Sequence, residues 1–251
     1  MEIDRLTPAT RPREKPAGFQ RWHFLSFLHW EVPPDSLVPL LPPTLALDTW
    51  QGRAWLGVVC FTMTGVRPWW FFSVPGVSSF HETNVRTYVH HRGQPGVWFF
   101  SLDAASQLAV WIGRRRWKLN YHYARMTVQH LGTRIVYRSR RVGPVYASLS
   151  ALVEVTSQSQ ATARETISHA NPGTLEHFLV ERYILYTQSQ DGRLWTARVY
   201  HAPYPLQSAR VLECQQSLAQ AVGVPLAPST PPDHVLYSPG VAVSVYRLHA
   251  V

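Results

Sequence analysis

The sequence predicts an α+β chain dominated by a large, curved, mostly antiparallel sheet or barrel. Alternation with a period of two runs through eight segments rich in Val, Tyr, Trp and Thr. Gly, Pro or Asn bound those segments, and only a few stretches carry helical spacing. At 251 residues, 45% hydrophobic and only 16% charged, the chain can bury a sizeable core and lacks the charge-rich profile of disorder.

Taken in order, residues 1–18 hold three prolines and scattered charge and read as a flexible N-terminal arm. Residues 19–251 read as a single domain, without a repeat or a low-complexity linker. A short helix is expected at Pro34–Leu41, from its apolar Leu37, Leu40 and Leu41. Strands follow at Ala54–Thr64, Phe80–His91 and Val97–Leu102, the last apolar on both faces and therefore central. A helix over Ala104–Trp117 is expected behind Asp103, a good capping residue. Further strands are Tyr121–His130, Arg134–Arg140 and Ala147–Val155. Thr174 would cap a helix at Leu175–Thr187, and Leu194–His201 is a strand. Leu206–Val222 reads as a helix stopped by Gly223, and Val241–Leu248 as the final strand.

Composition excludes several classes of function. No apolar run reaches the roughly 18 residues of a membrane span, so no membrane is expected as a partner. The charged N-terminal stretch lacks an apolar core, which points to a cytoplasmic location. The net charge of +9 comes almost wholly from arginine, with Lys15 and Lys118 the two lysines. The basic runs fit no helix-turn-helix, zinc-finger or RNP pattern, so nucleic acid is disfavoured as a partner. Cys60 and Cys214 read as small buried hydrophobes. There is no GxGxxG, GxxxxGK[ST], HExxH, CxxC or GxSxG, and the histidines lack zinc-ligand spacing. No cofactor and no metal is expected.

The most informative segment is FHETNVRTYV, residues 80–89. On a strand, Glu82, Asn84, Arg86 and Tyr88 share one face, while Thr83, Val85, Thr87 and Val89 share the other. Facing water, the first row is an ordinary solvated strand with one weak ion pair. Facing an enclosed interior, its groups are desolvated and their pKa values shift toward usefulness in proton transfer. Asp103 reads as a helix cap or as a site residue, and Lys118 as a surface lysine past a helix end or as an amine activated by its cationic neighbours. Glu181 and Arg182 read as the solvated stripe of an amphipathic helix. The cluster Trp69-Trp70-Phe71-Phe72 reads as a lid or a dimer contact, leaving a homo-oligomer open.

The motifs WHFLSFLHWEVP (22–33), LALDTWQGRAWLGVVCFTM (45–63), VRP (66–68), FHETNVRTYV, GVWFFSLDA (96–104), YHYARM (121–126), YRSRR (137–141), FLVERYILY (178–186) and VYHAPYPL (199–206), in that order, resemble the YqjF-like bacterial family of unknown function. The resemblance covers about Trp22 to Val245. It implies an acetoacetate decarboxylase-like fold: a β-rich barrel with an interior cavity and a few packed helices. In the distant decarboxylase relatives a lysine amine forms a Schiff base with a β-keto acid, and a glutamate lies close by. Carried over, that glutamate is Glu82. Tandem lysines are absent, Lys118 falls on the preceding helix end, and Tyr121 and His122 stand nearest the lysine's place. In a barrel the Glu82 row turns inward.

Two readings follow. In the first, the protein is a metal-independent lyase or isomerase for a small organic (keto) acid. Glu82, Tyr121 and His122 carry the proton chemistry, and Arg67, Asn84, Arg86, Asp103 and Lys118 surround the substrate, Arg86 or Arg67 holding its carboxylate. In the second, the barrel binds a small molecule without chemistry.

Overall fold

The computed structural model describes residues 3–156 and 168–251. Its strands are β1 (Gly18–Val32), β2 (Ala46–Leu47), β3 (Ala54–Pro68), β4 (Phe80–His91), β5 (Gln94–Ala104), β6 (Tyr121–Leu131), β7 (Arg134–Arg141), β8 (Ser148–Val155), β9 (Ile184–Gln188), β10 (Leu194–Tyr200), β11 (Gln207–Gln216), β12 (His234–Val245) and β13 (His249–Ala250). The α-helices are α1 (Pro34–Leu37), α2 (Gln107–Trp117), α3 (Leu175–Val180) and α4 (Leu218–Ala221).

Among the described residues, one sheet contains all thirteen strands, and its pairings close on themselves twice. One ring runs β5–β6–β7–β8–β11–β12 and returns through β1, β3 and β4; the other runs β5–β9–β10–β12 and returns through the same wall. All pairs are antiparallel except β5–β6 and β5–β9. The shared wall explains why β3 and β5 are largely apolar on both faces. Leu28, Val58, Cys60 and Val85 point into the first ring, against Ile135, Tyr137, Leu149 and Ala151. Leu25, Phe27, Val59 and Phe61 point into the second, with Phe178, Leu179 and Tyr204. The Val85 face of β4 therefore packs mainly on β7 and β8.

Three expected elements change type or extent. Leu206–Val222 is not a helix: Gln207–Gln216 pairs with β8, and only Leu218–Ala221 is helical. Leu175–Thr187 divides into α3, which Thr174 does cap, and β9, which pairs with β5 and β10. The apolar spacing of Tyr183 and Tyr186 suits either period, and strand pairing decides it. Strand β12 begins seven residues before the expected Val241, running through Pro239 and Gly240. Gly240 lies where an added Cβ would stand 2.2 Å from the Trp22 carbonyl oxygen, so β1 approaches it as it could approach no other residue. β1 itself hides its period behind two register shifts, one spanning Phe24 at φ 57°.

Residues 3–17, read from sequence as the flexible arm, lie against the body; residues 1–2 fall outside the described residues. Arg5 pairs with buried Asp48, and Arg198 donates to the carbonyls of Pro8 and Thr10, both at 2.8 Å.

Candidate active site

The second ring holds a pocket of about 190 Å³ that is partly open to solvent. Phe27, Phe61, Phe99 and Leu102 line its sides, and Ile112, Gly113 and Trp117 of α2 close one end. Helix α2 is the crossover between the parallel strands β5 and β6. Its N-cap is Ser106, whose Oγ accepts from the Ala109 amide at 3.2 Å, not Asp103, which still belongs to β5. The helix ends at Lys118 in the left-handed region, φ 55°, and the chain turns back into β6 with Tyr121 aimed at the cavity.

The β4 register sets Asn84 opposite Val59 on β3 and opposite Leu102 on β5, and Leu102 stands beside Tyr121. Side chains in that row, with Glu82 and Arg86 two residues either side, project into the cavity. Exposure is 2% for Glu82, 5% for Asn84 and 8% for Arg86. The Tyr121 hydroxyl donates to Glu82 Oε2 at 2.8 Å. Burial pushes the Glu82 carboxyl up to about 8, against the opposing pull of the Tyr121 and Asn84 hydrogen bonds. Burial, and then the neighbouring Glu82, hold the Tyr121 phenol well above its ordinary value.

Two guanidinium groups reach the same cavity. Arg86 Nη2 donates to the Leu179 carbonyl at 2.9 Å, a carbonyl that Tyr88 also uses, while its Nε is buried without a partner among the described residues. No carboxylate among the described residues lies within ion-pair distance of Arg86. Arg182 donates to the Phe178 carbonyl at 2.7 Å and pairs with Asp48 at 2.8 Å. The segment holding Glu181 and Arg182 is therefore not a solvated helical stripe. Both side chains are buried, and Glu181 accepts from the Tyr204 amide at 2.9 Å and from the Tyr183 hydroxyl.

The remaining expected residues lie elsewhere. Asp103 and His122 are register partners on the opposite face of the wall, one residue out of phase with Asn84 and Tyr121. There Asp103 pairs with Arg141 at 2.7 Å, and Arg141 also donates to Ser101 Oγ at 3.0 Å. Burial and the cations Arg141 and Arg114 lower His122 to about 4, so it stays neutral at physiological pH. Lys118 places Nζ 5.0 Å over the Trp195 ring, outside the cavity. Arg67 alternates with cavity-lining Val66 and so turns away from the cavity, stacking on Phe19 at 4.7 Å. Arg182 and Tyr204 line the cavity without having been singled out as site residues. The available signal for Arg182 was a charged pair inside an otherwise apolar run.

Gly113 positions Tyr121 by lacking a side chain: an added Cβ would stand 2.3 Å from the tyrosine ring. Gly113→Ala is expected to cost about 1–3 kcal/mol through overpacking, and to displace the phenol from Glu82. Chemical denaturation measures the first effect, and a fall in the Glu82 pKa, followed by carboxyl NMR, does not support the second, since losing the Tyr121 bond should raise it further.

In overall structure the chain resembles the enduracididine biosynthesis enzyme MppR complexed with pyruvate, with a TM-score of 0.61 and 13% identity over 95% of this chain and 91% of that one. It likewise resembles acetoacetate decarboxylase from Legionella pneumophila, with a TM-score of 0.60 and 12% identity over 96% and 91% of the two chains. These likenesses establish the acetoacetate decarboxylase-like fold. In sequence it is 34% identical over 212 residues to the uncharacterized protein YqjF of Bacillus subtilis (strain 168), covering 84% of each chain. With residues 19–242 also matching the model of the family DUF2071, described as an uncharacterized conserved protein (COG2071), the chain belongs to that family.

Proposed function

We propose that the protein is a lyase- or isomerase-type enzyme that binds a small keto acid in the cavity and exchanges a proton with it through Glu82. The observation that carries this reading is the buried Tyr121–Glu82 hydrogen bond in a mostly apolar pocket that also holds a guanidinium without a carboxylate partner among the described residues. Arg86, with Nε free, supplies the charge-assisted contact a substrate carboxylate needs. A carboxyl group that titrates near 8 is matched to proton transfer at neutral pH.

In the balanced form of the step, the ionised Glu82 takes a proton from the carbon beside the substrate carbonyl. The C–H electron pair moves onto the carbonyl oxygen as an enolate; once Glu82 is protonated, the Tyr121 hydroxyl is released from it and, with the Asn84 amide, donates to that oxygen. Return of the proton to carbon or oxygen completes an isomerisation without a co-reactant. A Schiff-base route has no amine here, because neither of the two lysines lines the cavity.

The test is solvent deuterium exchange. Pyruvate incubated with the protein in D₂O should lose its methyl proton signal faster than in buffer alone, and Glu82→Gln should slow the catalysed part by about 10²-fold or more. Exchange at an unchanged rate in that variant would remove Glu82 from the chemistry. Saturable binding of keto acids with no exchange in the native protein would instead favour a binding protein.

A further inference from the structure

We propose that the loop Trp69–Phe72 and the arginine-lined hollow beside it form a docking surface for an anionic lipid bilayer. Trp69, Trp70, Phe71 and Phe72 are 50%, 67%, 42% and 68% exposed. Their rings cluster instead of scattering, with Phe71 stacked on Phe72 at 4.2 Å and Trp70 edge-on to Phe71 at 5.7 Å. Four adjacent large aromatic side chains in water are costly unless something covers them.

The neighbouring surface states the charge of the cover. Arg11, Arg21 and Arg67 line a hollow of about 630 Å³ together with Tyr200 and with Ser73 from the aromatic loop itself. Strand register builds it: Arg67, Phe19, Ser244 and Tyr200 stand in one row across β3, β1, β12 and β10. Arg11 of the arm stacks over Tyr200 at 5.4 Å. The loop and the hollow are joined, since Arg67 donates to the Phe71 carbonyl at 3.3 Å and Lys15 Nζ lies 5.9 Å over the Trp69 ring. Among the described residues none of these four cations pairs with a carboxylate.

Clustered aromatic side chains beside unpaired cations match the two layers of a membrane interface: rings at the headgroup–acyl boundary, guanidinium groups on phosphates. A second copy of the chain fits less well, because it would bring two such cationic faces together. A small phosphate compound would use the hollow and leave the rings uncovered. The surface is separate from the keto-acid cavity, although Val66 and Phe80, which flank the loop, line that cavity.

The experiment is vesicle co-sedimentation with full-length protein, comparing phosphatidylcholine alone with phosphatidylcholine containing about a third phosphatidylglycerol. The protein should sediment with the anionic vesicles only, and roughly 0.5 M NaCl should release it. The exposed pair Trp70→Ala/Phe72→Ala and the pair Arg11→Ala/Arg21→Ala should each weaken binding about tenfold or more while the protein stays folded by circular dichroism. Binding to neither vesicle, equal binding to both, or binding unchanged in either double variant overturns the proposal. So does saturation by pyrophosphate or a single-stranded oligonucleotide without vesicle binding, or a dimer in solution that Trp70→Ala/Phe72→Ala dissociates.

Discussion

Asp48→Asn is expected to destabilise the protein by about 3–5 kcal/mol, among the largest effects open to a single near-isosteric change. The Asp48 side chain is fully buried and accepts from Arg182, whose own side chain is 3% exposed. An amide keeps the shape but removes the charge. Arg182 then remains a buried guanidinium that cannot shed its proton. Burial already pulls its pKa down, and Asp48 is the chief opposing influence. The double variant Asp48→Asn/Arg182→Met should recover much of the loss, because the uncompensated charge goes with the arginine. Arg5→Ala should cost no more than about 1 kcal/mol, since Arg5 is 28% exposed on its side of the same carboxylate. Urea denaturation of the four proteins checks the series. A double variant no more stable than Asp48→Asn alone would show that the pair matters for packing rather than charge.

The second large effect is a pH dependence carried by Glu82. Its folded-state carboxyl stands at about 8 against an ordinary 4.5, with burial the main cause. The fold thus favours the protonated form. The associated stability is fully present below pH 4.5 and is lost as pH rises through 8, where folding must bury a carboxylate. A shift of this size corresponds to a loss on the order of 5 kcal/mol. Glu82→Gln removes this one titration, so the gap between the unfolding free energies of the variant and the native protein should shift in the variant's favour as pH rises from 5 to 8, the other titrating groups being common to both. Equal slopes for the two proteins would place the Glu82 carboxyl in contact with water and remove its elevated pKa.

These expectations rest on different kinds of evidence. Alternation along single strands was enough to locate β3, β4, β6, β7 and β8 to within a few residues, because a period of two is a local property. It was also enough to group Glu82, Asn84 and Arg86 on one face. It could not separate a helix from a strand where apolar residues suit both periods, as in Leu175–Thr187 and Leu206–Val222. Those segments were decided by which neighbour offered a free ladder. Alternation alone sets His122 on the face opposite Tyr121, but which of the two meets Glu82, and that Asp103 points away with His122, depends on the parallel register of β6 against β5.

By itself, then, the sequence determined the β-rich class, most strand positions, the family resemblance and the acid–amide–base row on β4. Only the tertiary structure decided that this row faces a cavity, that Tyr121 rather than His122 meets Glu82, and that Arg182 joins the site while Arg67 and Lys118 stay outside it. The reason is physical: a strand's period fixes which side chains share a face, but the closing of two rings on one wall fixes what each face meets.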